Sequence, residues 1–337
     1  METAVQTDAS VTSVDYNNLE QLVQNNRSLK NALDNYTSSR ETYENMLKTL
    51  EDERDYMKFM QEKYEDDAEA KATYKMNASM LNMSISQESK IQTTSRQKTI
   101  DSYVLTAQSL MRTYNQMNTK AQAEEKNYQA AQSSYQAVLK KQSAGMATAA
   151  DVMTASDTMQ SAKNRYESYR QQASNARFNL LSALGLDTSA DIAIGSVPLP
   201  DLSAIDVVDF NTDVEQAVGN SSSVQNARHQ SAGTATEISV KSDQESQAEG
   251  TVRSRMQSLY EQLKAAKLQY EGAEAAYQSA SITYASLQKK QQAGMLSQSD
   301  YLQGVVDYYS ALDAKETAVV NLNQAWETYN WTVKGVS

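Results

Sequence analysis

The stretch KKQSAGMATAAD, Lys140 to Asp151, returns 149 residues further on as KKQQAGMLSQSD, Lys289 to Asp300. Both copies set a glycine between a lysine pair and a hydroxyl residue, the chemistry of one helix stopping and another starting. Gly145 and Gly294 can take the left-handed backbone that ends a helix. The lysines four and five residues before each glycine complement the partial negative charge at a helix C-terminus. Thr148 or Ser297 can then cap the helix that follows. Asp151 and Asp300 fall in its first turn, where a carboxylate is favoured. Each copy reads as the tip of a helical hairpin, and Met146 and Met295 at the two tips have no packing reason to be apolar.

The repeat extends to both sides of the tips. Upstream, the stripe Ala107, Tyr114, Ala121, Tyr128, Tyr135 aligns with Met256, Leu263, Tyr270, Tyr277, Tyr284; downstream, Ala162 and Ala176 align with Ala311 and Ala325. The repeating unit is predicted to be a helix of about 40 residues or more, a Gly turn and a second such helix, each arm roughly 60 Å long. Two further stripes have the same seven-residue spacing. One runs Leu22, Leu29, Tyr36, Tyr43, Leu50, Met57, Tyr64; the other runs Val152, Met159, Tyr166, Ala173, Leu180. Residues seven apart return to nearly the same helix face, drifting by about 20°, so these stripes are coiled-coil seams that need a second helix to cover them. Seams of Ala and Tyr suit helices packed side by side in a curved wall.

Composition agrees. The 337 residues include ten Gly and two Pro, where average usage would give roughly 12% of the two together. A compact mixed fold of this length needs more turn residues than that. The fold class is therefore all-α: long antiparallel coiled-coil hairpins in two structural repeats, with little or no β. Pro198 and Pro200 lie in one linker. The expected division is a disordered 1–14, a first repeat 15–185 with its tip near 145, a linker 186–211, and a second repeat 212–337 with its tip near 294.

Several functions are excluded. With no Cys and one His, thiolate metal sites, disulfides and any two-imidazole site are absent, and no metal or cofactor is expected. A net charge of −11 disfavours nucleic acid, whose phosphates call for clustered Lys and Arg. No apolar run is long enough for a transmembrane helix. His229 lies in a polar stretch and reads as an exposed helix residue. Asp206 and Asp209 sit in the linker with no evident basic partner, so the chain is not expected to be an enzyme. The charge runs Glu51–Glu53 and Glu65–Asp67 read as solvated helix faces. The start METAVQTDAS has neither basic n-region nor apolar core and reads as a Met before an already mature terminus. An exported protein is expected from that start.

The sequence resembles the outer-membrane efflux protein family, the TolC-like exit ducts of tripartite exporters. The resemblance rests on Ala-Gly-Met-x-x-x-x-Asp at both tips and on ARFNLLSALG, Ala176 to Gly185, which is similar to the family's A-R-x-x-L-x-x-L-x-G helix end. Val197-Pro198-Leu199-Pro200 and then Ala217-Val218-Gly219-Asn220-Ser221 follow in the family's order. The resemblance implies a homotrimer that closes a hollow twelve-helix α-barrel, with the tips docking onto a periplasmic-type adaptor of an ABC or other exporter. Carried over, Gly145, Met146, Ala147, Gly294, Met295 and Leu296 match the adaptor-docking tips. Asp300, with Asp151 as its counterpart, matches an acidic ring near the pore constriction. Gln303 stands where a second acidic ring can occur, and Leu296 where a basic residue can hold the closed state; both depart from the family's electrostatic lock.

The family also inserts a β-hairpin into the membrane from each half. The candidate stretches here, Lys75 to Ser102 and Ser231 to Ser258, contain no Phe, Tyr or Trp, although the chain has 20 Tyr, so they have no aromatic girdle, and they are rich in Ser, Gln, Lys and Glu. They suit helix continuations, loops or a short soluble hairpin, and not lipid-facing strands. No direct bilayer span is expected in this chain. Two origins stay open: a natural exporter spanning a wall without an outer membrane, or removal of the strands. A second functional class also stays open, a coiled-coil cell-envelope scaffold binding a cell-wall enzyme or other partner.

Overall fold

The computed structural model of the chain describes residues 11–91 and 96–336. After a single 3-10 turn at Tyr16–Asn18, ten α-helices are described in chain order: α1 Leu19–Val23, α2 Arg27–Lys63, α3 Ala68–Ile91, α4 Arg96–Ser143, α5 Ala149–Ala183, α6 Leu202–Asp206, α7 Phe210–Asn220, α8 Ser222–His229, α9 Ala235–Gln292 and α10 Gln298–Val333. The only described strands, β1 Ser13–Val14 and β2 Ala193–Ile194, form one two-residue parallel pair. The all-α expectation holds, and the arms on both sides of the two Gly turns are long helices as the repeat requires.

Two compact units share the chain, and neither is one of the two sequence repeats. The first takes Met1–Val23, Val104–Asp209 and Gln257–Asn330; the second takes Gln24–Tyr103, Phe210–Met256 and Trp331–Ser337. Both hairpin tips belong to the first unit.

In the first unit the stripe residues Ala107, Ala121, Leu263 and Tyr270 are buried, as are Ala162, Ala173, Ala176 and Leu180 on the return helix. Small seam residues let the backbones approach closely, and larger residues such as Met111, Leu181, Leu322 and Tyr329 fill the remaining space. A polar cluster ties four segments of this unit together. The Tyr16 hydroxyl donates to Asn323 Oδ1 at 2.9 Å, and the buried Arg112 guanidinium donates to both at 3.2 and 3.3 Å. Asn323 Nδ2 donates onward to the Pro198 carbonyl at 3.2 Å. Burial pushes the Tyr16 phenol well above its ordinary range, and the Glu327 carboxylate adds to the effect. A satisfied buried network of this kind is costly to break, because every orphaned partner loses its bonds to water as well.

Two expectations are corrected here. Residues 1–10 of the segment expected to be disordered lie outside the described residues, but Ser13–Val14 is ordered strand with Val14 fully buried. Its partner strand lies in the span 186–211, which is not a bare linker. Ile192, Val197 and Ile205 are buried there, and α6 forms within it, capped by Asp201. The partners of both segments are distant in sequence, so no local pattern announces them.

The second unit contains an α2–α3 hairpin. Asn26 caps α2 through Ser28 and Leu29, so the stripe from Leu22 to Leu29 crosses a break between helices. Asp67 accepts from the amides of Glu69 and Ala70 to start α3, and Tyr64 stacks on Tyr74 across the turn at 5.8 Å. In the same unit Arg228 pairs with Glu245 and Glu249, and Arg253 holds Glu215 in a two-pronged contact. Of the two stretches considered for membrane strands, 75–91, 96–102 and 235–258 are helical, 231–234 is the loop before α9, and 92–95 lie outside the described residues; helix continuation and a connecting loop are what is observed.

Candidate functional site

The site predicted from the repeat is a pair of helix-turn-helix tips, and the structure builds both the same way. At the first, Gly145 has φ 75° and its amide donates to the Gln142 carbonyl at 2.9 Å, while the Met146 amide reaches back to Lys141 at 2.7 Å. At the second, Gly294 has φ 69°, its amide donates to Gln291 at 3.0 Å, and the Met295 amide donates to Lys290 at 2.9 Å. This is the paired-bond glycine stop, in which the residue after the glycine closes the longer ring.

The next helix starts equally alike. Thr148 caps α5: its hydroxyl accepts from the Asp151 amide at 3.2 Å, and its own amide donates to Asp151 Oδ2 at 2.7 Å. At the second tip Ser297 Oγ accepts from the Asp300 amide at 3.1 Å, and its hydroxyl donates to Asp300 Oδ2 at 2.7 Å. The Thr148 backbone N–H, and then its hydroxyl, hold the Asp151 carboxyl below its ordinary range. Asp151 and Asp300 thus occupy equivalent, exposed capping positions. Gln303 is exposed one turn on, its amide donating to Asp307 at 2.9 Å.

The turn leaves its apolar residue in water. Met146 is 73% exposed and Met295 78%. Ala147 and Leu296, also equivalent, are half-buried. Each tip therefore presents one methionine on a rigid, glycine-terminated knuckle, with a lysine pair at the end of the helix behind it.

The shafts behind the tips obey the repeat but differ in chemistry. Tyr128 stacks on Tyr166 with ring centres 6.4 Å apart; the equivalent pair in the second hairpin is Tyr277 with Lys315, whose ammonium lies 4.6 Å from the ring centre. The second hairpin adds an aromatic ladder that the first lacks. Tyr308 lies 5.7 Å from Tyr277 and 4.7 Å from Tyr284, which is 6.3 Å from Tyr301. The hydroxyls of Tyr277 and Tyr308 share a hydrogen bond of 3.2 Å. That bond, reinforced by burial, pushes the Tyr308 phenol up to about 12. In the first hairpin Val152 and Met159 stand where Tyr301 and Tyr308 stand in the second. The ladder was missed in the sequence, although Tyr277, Tyr284, Tyr301 and Tyr308 are spaced by sevens on two helices known to face each other.

Arg177, inside the family-like helix end, does structural work that its motif did not disclose. Its guanidinium donates to the carbonyls of Ala190 at 2.8 Å, Ile192 at 3.0 Å and Thr188 at 3.4 Å, folding the chain after α5 back onto the helix. Two other residues singled out in the sequence have simple places. His229 ends α8, exposed. Asp206 does have a basic partner, Lys267, and the pair ties α6 to α9. Among the described residues no group of three or more His, Cys, Asp and Glu side chains is placed to hold a metal, and no helix is long and apolar enough to cross a membrane.

No family model and no curated protein matches the chain by sequence. Solved structures do match its fold. A membrane protein from Pseudomonas aeruginosa is 12% identical, with a TM-score of 0.55 over 94% of this chain and 90% of its own. CusC, described in a study of transmembrane channel formation, is 13% identical, with a TM-score of 0.52 over 96% of this chain and 97% of its own. The open-state MtrE outer membrane channel of Neisseria gonorrhoeae is 13% identical, with a TM-score of 0.46 over 100% and 96% of the two chains. At such identity the likeness to the first two is one of fold. The chain shares the long-helical fold of these two structures.

Proposed function

We propose that the protein is a duct component of a tripartite efflux or secretion system of the cell envelope, docking by its two hairpin tips onto a membrane-fusion adaptor and forming a passive conduit as a homotrimer. The observation that carries this reading is the exposed methionine pair, Met146 and Met295, displayed by two turns of matching geometry. A spacer or scaffold needs neither the apolar tip nor its duplication. The channel-like fold supports the conduit, and the two exposed carboxylates Asp151 and Asp300, with Gln303 beyond, are the groups that would line its narrow end.

Adaptor docking in this reading is small-on-small packing. Glycine removes the side chain at the crest, and methionine, with three rotatable bonds, adapts to a facing helical hairpin. Mass determination in solution, with and without the helical hairpin of the cognate adaptor, tests the proposal. The duct reading predicts a threefold species that the hairpin stabilises. A monomer or dimer indifferent to the hairpin would leave the scaffold reading in its place. For the constriction, Asp300→Asn should shift the cation preference of the reconstituted assembly, and an unchanged preference would remove Asp300 from the pore.

A further inference from the structure

The second unit carries a surface that the docking function does not use. In α3 the sequence YKMNASMLNMSIS places Met76, Met80 and Met83 at i, i+4 and i+7. With 3.6 residues per turn they fall within an arc of about 60°, spread over about 10 Å of helix. The face packed toward α2 is a different one. Tyr74, Asn77, Leu81 and Ile85 are half-buried and Ala78 is buried, whereas Met76, Met80 and Met83 are 58%, 55% and 64% exposed. The helix has sorted its apolar residues by kind. Leu81 and Ile85 face the partner helix, while all three methionines of α3 face outward.

Hydrophobicity alone does not explain that sorting, since leucine would make an equally good apolar seam and a stiffer one. What methionine adds is a thioether. Thioether sulfur is a soft donor that selects Cu(I) and its congeners over Zn, Mg or Ca. The chain has no cysteine and a single histidine, which ends α8, so thioethers are its only concentrated soft donors. Met76 with Met80, and Met80 with Met83, are neighbours on successive turns, and flexible side chains can bring two sulfurs of such a pair onto one ion. Met80 belongs to both pairs.

We propose that the outward face of α3 binds a soft monovalent cation, Cu(I) or its analogue Ag(I), through the thioethers of Met76, Met80 and Met83. The site holds the ion by two sulfurs at a time with Met80 common to both arrangements.

The test uses silver nitrate in chloride-free buffer and the full chain labelled at the methionine ε-methyls. Titration should move the ε-methyl resonances of Met76, Met80 and Met83 first, saturating at one ion per chain. Calorimetry should show affinity falling at least tenfold in the Met76→Leu/Met80→Leu/Met83→Leu variant. Met80→Leu alone should fall nearly as far, and Met76→Leu or Met83→Leu should fall less. Leucine conserves volume, apolarity and helix preference, so the fold and any purely apolar contact on this face survive in every variant. Wild-type affinity in the triple variant, or first shifts at Met146, Met295 or other methionines, would overturn the proposal. Either outcome is independent of adaptor docking, which is read at the tips.

Discussion

The amide of Met146 donates to the carbonyl of Lys141 at 2.7 Å, and this bond is what leaves the Met146 side chain in solvent. It requires Gly145 at φ 75°, a backbone that costs a residue with a Cβ about 1–2 kcal/mol. Nothing lies within 4 Å of a Cβ built at Gly145 or Gly294, so the cost there is conformational and not steric. Gly145→Ala and Gly294→Ala should each open their turn by about that amount. Faster hydrogen exchange at the Met146 or Met295 amide, with exchange in the helix middles unchanged, is the expected signature.

The capping carboxylate at the first tip makes that turn acid-sensitive. Asp151 is held below the ordinary carboxyl value of 3.8 by Thr148, so its contribution is fully present above that value and is lost as the pH falls through its lower folded one. The Thr148 amide resonance should follow this titration, and Asp151→Asn should abolish it. Thr148→Ala should weaken the start of α5 by about 1 kcal/mol at neutral pH.

The aromatic ladder predicts unequal shafts. Each close aromatic pair adds about 0.5–1.5 kcal/mol beyond burial, and Tyr308 makes two across the hairpin, with Tyr277 and Tyr284, so Tyr308→Ala should destabilise the second hairpin by about 1–3 kcal/mol plus the burial it gives up. Tyr308→Phe keeps the stack and loses one hydroxyl bond, about 1 kcal/mol. At Met159, the equivalent position in the first hairpin, substitution by Leu should cost under about 1.5 kcal/mol. Because the folded phenol is raised from 10.0 to about 12, its contribution is complete below pH 10 and disappears as the pH rises through about 12. Denaturant melts and a near-ultraviolet phenolate titration measure both effects.

Arg177 is the fourth handle. Removing a charged donor from partly buried carbonyls costs about 1.5–3 kcal/mol, so Arg177→Met should lower unfolding stability by that amount and release the Ala193–Ile194 strand pairing. Arg177→Lys should recover only part, since an ammonium cannot reproduce the planar fork that meets Ala190 and Ile192 together. Equal stability of both variants and the parent would remove the hook from this account.

How much of this was legible beforehand depends on the range of the interaction. The tips were readable because a glycine stop and a hydroxyl cap are encoded within five residues, and the 149-residue repeat states them twice. The seams were readable because Ala162, Ala176 and Leu180 recur at helical spacing, and each is buried. The ordering of Ser13–Val14 was not readable, because its partner lies at Ala193–Ile194 and two residues leave no periodicity. Nor was the pairing of Asp206 with Lys267, where neither residue's neighbours hint at the other. The exposed face of α3 was not readable either, because which side of the helix carries Met76, Met80 and Met83 depends on where α2 packs.

The central claim is that the tips are a docking surface, and it is tested most directly by binding the helical hairpin of the cognate adaptor to the wild-type protein and to Met146→Glu/Met295→Glu. Both residues are exposed, so the substitutions leave the helices intact, as circular dichroism should show. The account predicts at least a tenfold loss of adaptor affinity with helicity unchanged. Undiminished binding by the double variant would contradict it.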